Sequence, residues 1–156
     1  FFYKMQSVIC FIFIHITLCL CQDDKSEWAS PEENKCINEL SLDKDHIVKV
    51  LMDYSPGKLP EDDDEFSKFT LCRGIQTGTQ NENGEINFET LTNIVKSFSE
   101  AIFNKDATKG SLVGSELSNE AVTNCKSVAN GDNAGQNMNK LQNFIDEYLI
   151  NHFNSQ

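Results

Sequence analysis

The chain has 156 residues, with 24 acidic against 13 basic side chains and a formal net charge of −11. Phosphate binding needs a basic face, and no stretch of this sequence supplies one, so nucleic acid is not expected as a partner. Such acidity keeps molecules apart in solution, and the densest run, Glu61 to Glu65, reads as a solvated surface and not as a binding site.

Residues Val8 to Cys21 carry almost nothing polar, Lys4 lies just upstream, and Cys19 and Cys21 put small side chains at positions −3 and −1 of a cleavage point. That pattern predicts a signal peptide over residues 1–21, with Met5 as the candidate initiator and Gln22 as the first mature residue. The apolar run falls short of the roughly 20 residues a spanning helix needs, so no membrane insertion is expected. Cys10, Cys19 and Cys21 would leave with the leader. Cys36, Cys72 and Cys125 would then enter an oxidising compartment, an odd number that allows one bridge and one spare thiol. Residues 22–156 are enough for one domain with a single core.

Strand signals are nearly absent, and apolar residues recur at helical spacing in block after block, which predicts an all-α domain. Ser30 as N-cap, Pro31 in the first turn and Glu32 and Glu33 behind it start a helix that should run to about Leu40 and contain Cys36. Asp43 can cap a second helix, in which Ile47, Val50, Leu51 and Tyr54 form one stripe before Ser55-Pro56-Gly57 stops it. A third, about Glu61 to Arg73, carries Phe66, Phe69 and Cys72 and ends in a turn through Gly74, Gly78 and Gly84. The fourth starts near Asn87, with Leu91, Ile94, Val95, Phe98 and Ile102 inward. Asn104 to Ser115, rich in Gly, Lys and Ser, reads as a mobile connection. The fifth, Glu116 to about Ala129, carries Leu117, Ala121, Val122, Cys125 and Val128. The last, about Ala134 to Leu149, presents Met138, Leu141, Phe144, Ile145, Tyr148 and Leu149, and Leu149 to Gln156 reads as a tail.

Six short helices with a cysteine in the first, third and fifth, a glycine turn after the third and a signal peptide resemble the insect odorant-binding proteins, the general odorant- and pheromone-binding family. Cys36 is similar to the family's first cysteine. Cys72, followed by Gln80-Asn81-Glu82-Asn83-Gly84-Glu85-Ile86, is similar to the third, and Cys125, just before Asn130-Gly131-Asp132, to the fourth. The family pairs first with third, second with fifth and fourth with sixth, so the resemblance implies a Cys36–Cys72 disulfide. The second cysteine would fall at Lys68, the fifth near Ala134 or Gly135 and the sixth near Asn143 or Phe144. Loss of the second and fifth removes one whole bridge, as in a reduced-cysteine member. Loss of the sixth strands Cys125, expected to be a buried thiol that packs like a small hydrophobe, with intermolecular pairing as the alternative.

The resemblance implies a compact six-helix domain around a hydrophobic cavity, and a carrier of odorants, pheromones or similar apolar molecules. Its ligand contacts would come from Ile47, Val50, Leu51, Tyr54, Phe69, Leu91, Ile94, Val95, Phe98, Val122, Leu141, Phe144 and Tyr148, with the Tyr148 hydroxyl free to orient a polar end. It also implies a secreted protein of sensory lymph or haemolymph, monomeric or weakly dimeric, with a chemosensory receptor as a further candidate partner. A secreted venom, salivary or haemolymph interaction protein of the same fold, with no chemosensory role, is the alternative. No cofactor, metal or catalytic group is expected: His46 and His152 lie beside no nucleophile at a known spacing. His152 could act as a switch, loosening the tail when protonated. Thr79 to Thr90 resembles a calcium loop, with Gly84 at its sixth position, but Thr79 and Thr90 replace the first and last carboxylates, so affinity should be poor.

Overall fold

The computed structural model describes residues 29–103, 110–128 and 130–154, without the side chains of 98, 100–103, 110–114 and 153–154. The leader expected over residues 1–21 lies outside the described residues. Within them are six helices and no strand: α1 Pro31–Glu39, α2 Lys44–Met52, α3 Asp64–Thr77, α4 Phe88–Phe103, α5 Gly110–Cys125 and α6 Ala134–Asn154. The one extended pairing among the described residues is an isolated bridge between Gln80 and Ile86.

Most helix starts follow from a side-chain cap. Ser30 Oγ accepts the Glu33 amide at 3.2 Å while Glu33 Oε2 accepts the Ser30 amide at 2.7 Å, a reciprocal capping box with Pro31 in the first turn. Asp43 accepts the Asp45 and His46 amides, and Asn87 and Asn133 cap α4 and α6 through the amides of Thr90 and Gln136. The third helix begins three residues later than its acidic run implied, because the cap is Asp63, which accepts the Phe66 amide at 2.9 Å. It also ends later. Gly74 is buried inside it, and the left-handed Gly78 (φ 73°) closes it.

Two expected loops are helical in part. Residues 110–115 of the expected mobile connection form the first turns of α5, while 104–109 lie outside the described residues. Glycine and serine there disfavour a helix locally, but α5 lies along α4 in the most extensive helix pair of the fold, and tertiary packing overrides propensity. Likewise the expected tail continues α6 to Asn154, and Leu149 is buried.

Helix α6 is the centre of the arrangement, packing on α3 along one side and on α5 along another, while α1 and α2 pack on α3. At the α3–α6 contact a Cβ on Gly135 would run into the Ser67 carbonyl, so only glycine allows this approach. Lys68 and Ala134 or Gly135 are where the family's second and fifth cysteines were placed. In this chain, backbone contact closes the position that a bridge would have held. No helix among the described residues is long and apolar enough to cross a membrane.

Candidate functional site

Two apolar clusters share the nominated ligand contacts. The first gathers Leu91 and Val95 of α4, Leu117, Ala121, Val122 and Cys125 of α5, and Leu141, Ile145 and Leu149 of α6, with Ile86, Phe88, Val128, Phe144 and Tyr148 half-buried against it. Burial against three helices follows from stripes at helical spacing, such as Leu141, Ile145 and Leu149. Phe144 and Tyr148 stack with ring centres 6.1 Å apart, and Lys126 lies over the Phe88 ring at 4.9 Å. The Tyr148 hydroxyl is not free for a guest's polar end, because it donates to Glu120 at 3.1 Å.

The second cluster holds Cys36, Ile37, Ile47, Leu59, Phe66 and Phe69, with Leu42, Val50, Leu51, Tyr54 and Cys72 against it. Of the thirteen nominated residues, Ile47, Val50, Leu51, Tyr54 and Phe69 therefore meet here, and Leu91, Val95, Val122, Leu141, Phe144 and Tyr148 meet in the first cluster. Ile94 is half-buried and belongs to neither, and the Phe98 side chain lies outside the described residues.

Strong ties pin the second cluster. Cys36 and Cys72 form the disulfide, with Cα atoms 5.8 Å apart. One turn away the fully buried Glu33 accepts a hydrogen bond from the Arg73 guanidinium, so a covalent bond and an ion pair join α1 to α3 side by side. On the far side α2 and α3 exchange caps: Glu65 accepts the Asp43 amide at 2.5 Å, and His46 Nε2 lies 2.6 Å from Asp63.

A row of buried polar residues runs along α6 where it meets the connection between α2 and α3. Asn139 Nδ2 donates to the Pro60 carbonyl at 3.1 Å. Asn143 grips the Leu59 backbone at both ends, accepting from its amide at 2.7 Å and donating to its carbonyl at 3.0 Å. Asp146, fully buried, accepts from the Tyr54 hydroxyl, from the Gly57 amide at 3.3 Å and from Gln142 Nε2 at 2.6 Å. Burial pushes its carboxyl up to about 7 against these donors, which pull it down. Sequence reading missed this row. Its residues look like the solvated face of α6, and what buries them is a segment some 80 residues earlier in the chain.

The comparison with protein families decides the identity: a PBP/GOBP family model matches residues 21–143, well over half of the chain. The chain belongs to the PBP/GOBP family. Comparison with curated proteins and with solved structures gave no match. Members of this family, the insect odorant- and pheromone-binding proteins, are secreted binding proteins for small hydrophobic ligands.

As a PBP/GOBP protein the chain keeps the family's first bridge and leaves Cys125 as a free thiol, fully buried in the first cluster and donating to the Val122 carbonyl at 3.1 Å. Burial pushes that thiol up to about 11, which keeps it protonated and unreactive at neutral pH. Asn143, near the family's sixth cysteine position, is committed to Leu59 instead. In the calcium-like loop, Asn81 Oδ1 accepts the Asn83 and Glu85 amides, and the Thr79 hydroxyl donates to Gly74, so these oxygens serve the turn itself. No group of three or more His, Cys, Asp or Glu among the described residues could hold a metal ion.

Proposed function

We propose that the chain is a secreted carrier that takes up a small hydrophobic molecule, an odorant, pheromone or similar compound, and moves it through extracellular fluid after removal of residues 1–21. Membership of the PBP/GOBP family over residues 21–143 is the observation that carries this reading. The chemistry supports it. A guest that hides only a few hundred Å² of apolar surface at about 25 cal/mol per Å² reaches micromolar affinity with no catalytic group.

We assign the ligand to the α4–α5–α6 cluster in preference to the second one. The second cluster is fastened by the disulfide and the Glu33–Arg73 pair, whereas the first is joined by side-chain packing and rimmed by the half-buried rings of Phe88, Phe144 and Tyr148. Apolar packing crossed by the Ser118–Ser99 and Tyr148–Glu120 hydrogen bonds gives way more easily to an oily guest than packing held by a disulfide and a buried ion pair. Methyl NMR during titration with a long-chain apolar ligand tests the assignment. Resonances of Leu91, Val95, Val122 and Leu141 should shift in a saturable way while those of Ile47, Val50 and Leu51 stay in place. The reverse pattern would move the site to the second cluster.

A further inference from the structure

We propose that residues 54–61 form a strap that α6 fastens through Asp146 when that carboxyl is protonated and that loosens as pH rises towards neutrality, uncovering the second apolar cluster. The proposal concerns the fold's own motion and stands apart from the assignment of the ligand.

The strap has little structure of its own beyond a turn in which the Lys58 amide donates to Ser55 at 2.9 Å, and it is tied down mainly by α6. Two of the ties, Asn139 to the Pro60 carbonyl and Asn143 to the Leu59 backbone, join neutral amide groups that carry no titratable proton, and Asn143 also donates to the Glu61 carboxylate at 3.0 Å. The third is Asp146, and two of its three partners, the Tyr54 hydroxyl and the Gly57 amide, lie on the strap. Leu59 and Tyr54 are the strap's contribution to the second cluster, Leu59 buried with Phe66 and Phe69 and Tyr54 half-buried against them. Lifting the strap therefore exposes that cluster.

Asp146 has no exposure to water, and among the described residues no cation pairs with it. Among the described residues, the titratable groups that act on it are Tyr54 from the strap and its helix neighbour Glu147, beside which lies the strap's Lys58. Lys58 is largely exposed and lies 4.0 Å from Glu147, whose own negative charge works against ionisation of Asp146. An anion sealed in without a counter-charge is costly, so the closed strap favours the protonated acid. Protonation also offers a donor to Gln142 Oε1, which has no partner among the described residues while its amide nitrogen serves the carboxylate; one turn of the amide brings the two together. Once the strap lifts, the carboxyl meets water and returns to the ordinary aspartate range.

The sign follows from linkage. The closed state binds the proton up to about pH 7 and the open state only to about pH 4, so closure is favoured in acid and is progressively lost between those values. From pH 5.5 to 7.5 the opening equilibrium should rise roughly twentyfold.

Amide hydrogen exchange on the full chain measures this directly. Opening constants for the Gly57 and Leu59 amides, corrected for intrinsic exchange and compared with the Val95 amide of α4, should rise roughly twentyfold from pH 5.5 to 7.5 in the parent. They should stay level in Asp146→Asn, which cannot ionise. An equal rise in Asp146→Asn, or stronger protection at pH 7.5 than at 5.5 in the parent, overturns the proposal. Tyr54→Phe keeps the carboxyl and removes a donor that favours its charge, so the midpoint of opening should move to higher pH. An unmoved midpoint would also overturn it, and this variant decides the matter should Asp146→Asn fail to fold.

Discussion

Arg73 and Glu33 show how much one side chain can decide in this protein. Glu33 is fully buried and already accepts the Ser30 amide, so its second oxygen depends on the Arg73 guanidinium for compensation. Arg73→Met should lower the free energy of unfolding by about 3 kcal/mol, because it leaves a buried carboxylate without its cation. Adding Glu33→Gln should recover part of that loss, since the stranded charge is then gone. Urea titration of the parent, the single and the double variant measures both effects. A loss below about 1 kcal/mol in Arg73→Met would show that the pair behaves as an exposed one. At this scale the sequence was readable wherever chemistry acts within a few residues: Ser30 and Asp43 announce their caps by type and spacing. Asp146 was not readable. It is one acid among many on a helix, and its burial comes from Tyr54, Gly57 and Leu59, far away in the chain.

Among the elements, α1 and α3 are joined most firmly. The Cys36–Cys72 bridge spans 36 residues, which in the chain-entropy account is worth about 4 kcal/mol. Cys36→Ser with Cys72→Ser should therefore cost roughly 4 kcal/mol in equilibrium unfolding without altering helix content in the folded state. A double variant as stable as the parent would show that the Glu33–Arg73 pair fixes the two helices alone. Helix existence was legible for all six elements, for α1 from its Ser30 cap, Pro31 and acidic first turn and for the other five from apolar residues at helical spacing. Boundaries were less so. The start of α5 at Gly110 and the continuation of α6 to Asn154 run against local propensity and are set by packing on α4 and by the burial of Leu149. The tail expected to carry a His152 switch is thus the end of a helix, and the pH response proposed for Asp146 has the opposite sign to the one expected of that tail.

For the molecule as a whole, the family resemblance was visible in three cysteines and a helical pattern, and the family match over residues 21–143 agrees with it. The division of the interior into two apolar clusters was not visible, because periodicity marks a residue as inward without saying which inward-facing neighbours it meets. The covalent economy has a physical counterpart in the Gly135–Ser67 contact and the Asn143 grip on Leu59, which tie α6 where cysteines are missing. Uptake of an apolar fluorescent probe by folded protein comprising residues 22–156 tests the carrier function most directly. The account predicts a saturable rise in emission with one probe per chain at micromolar concentration, reversed by small apolar competitors. Folded protein that gives no saturable rise up to the solubility limit of the probe would contradict it.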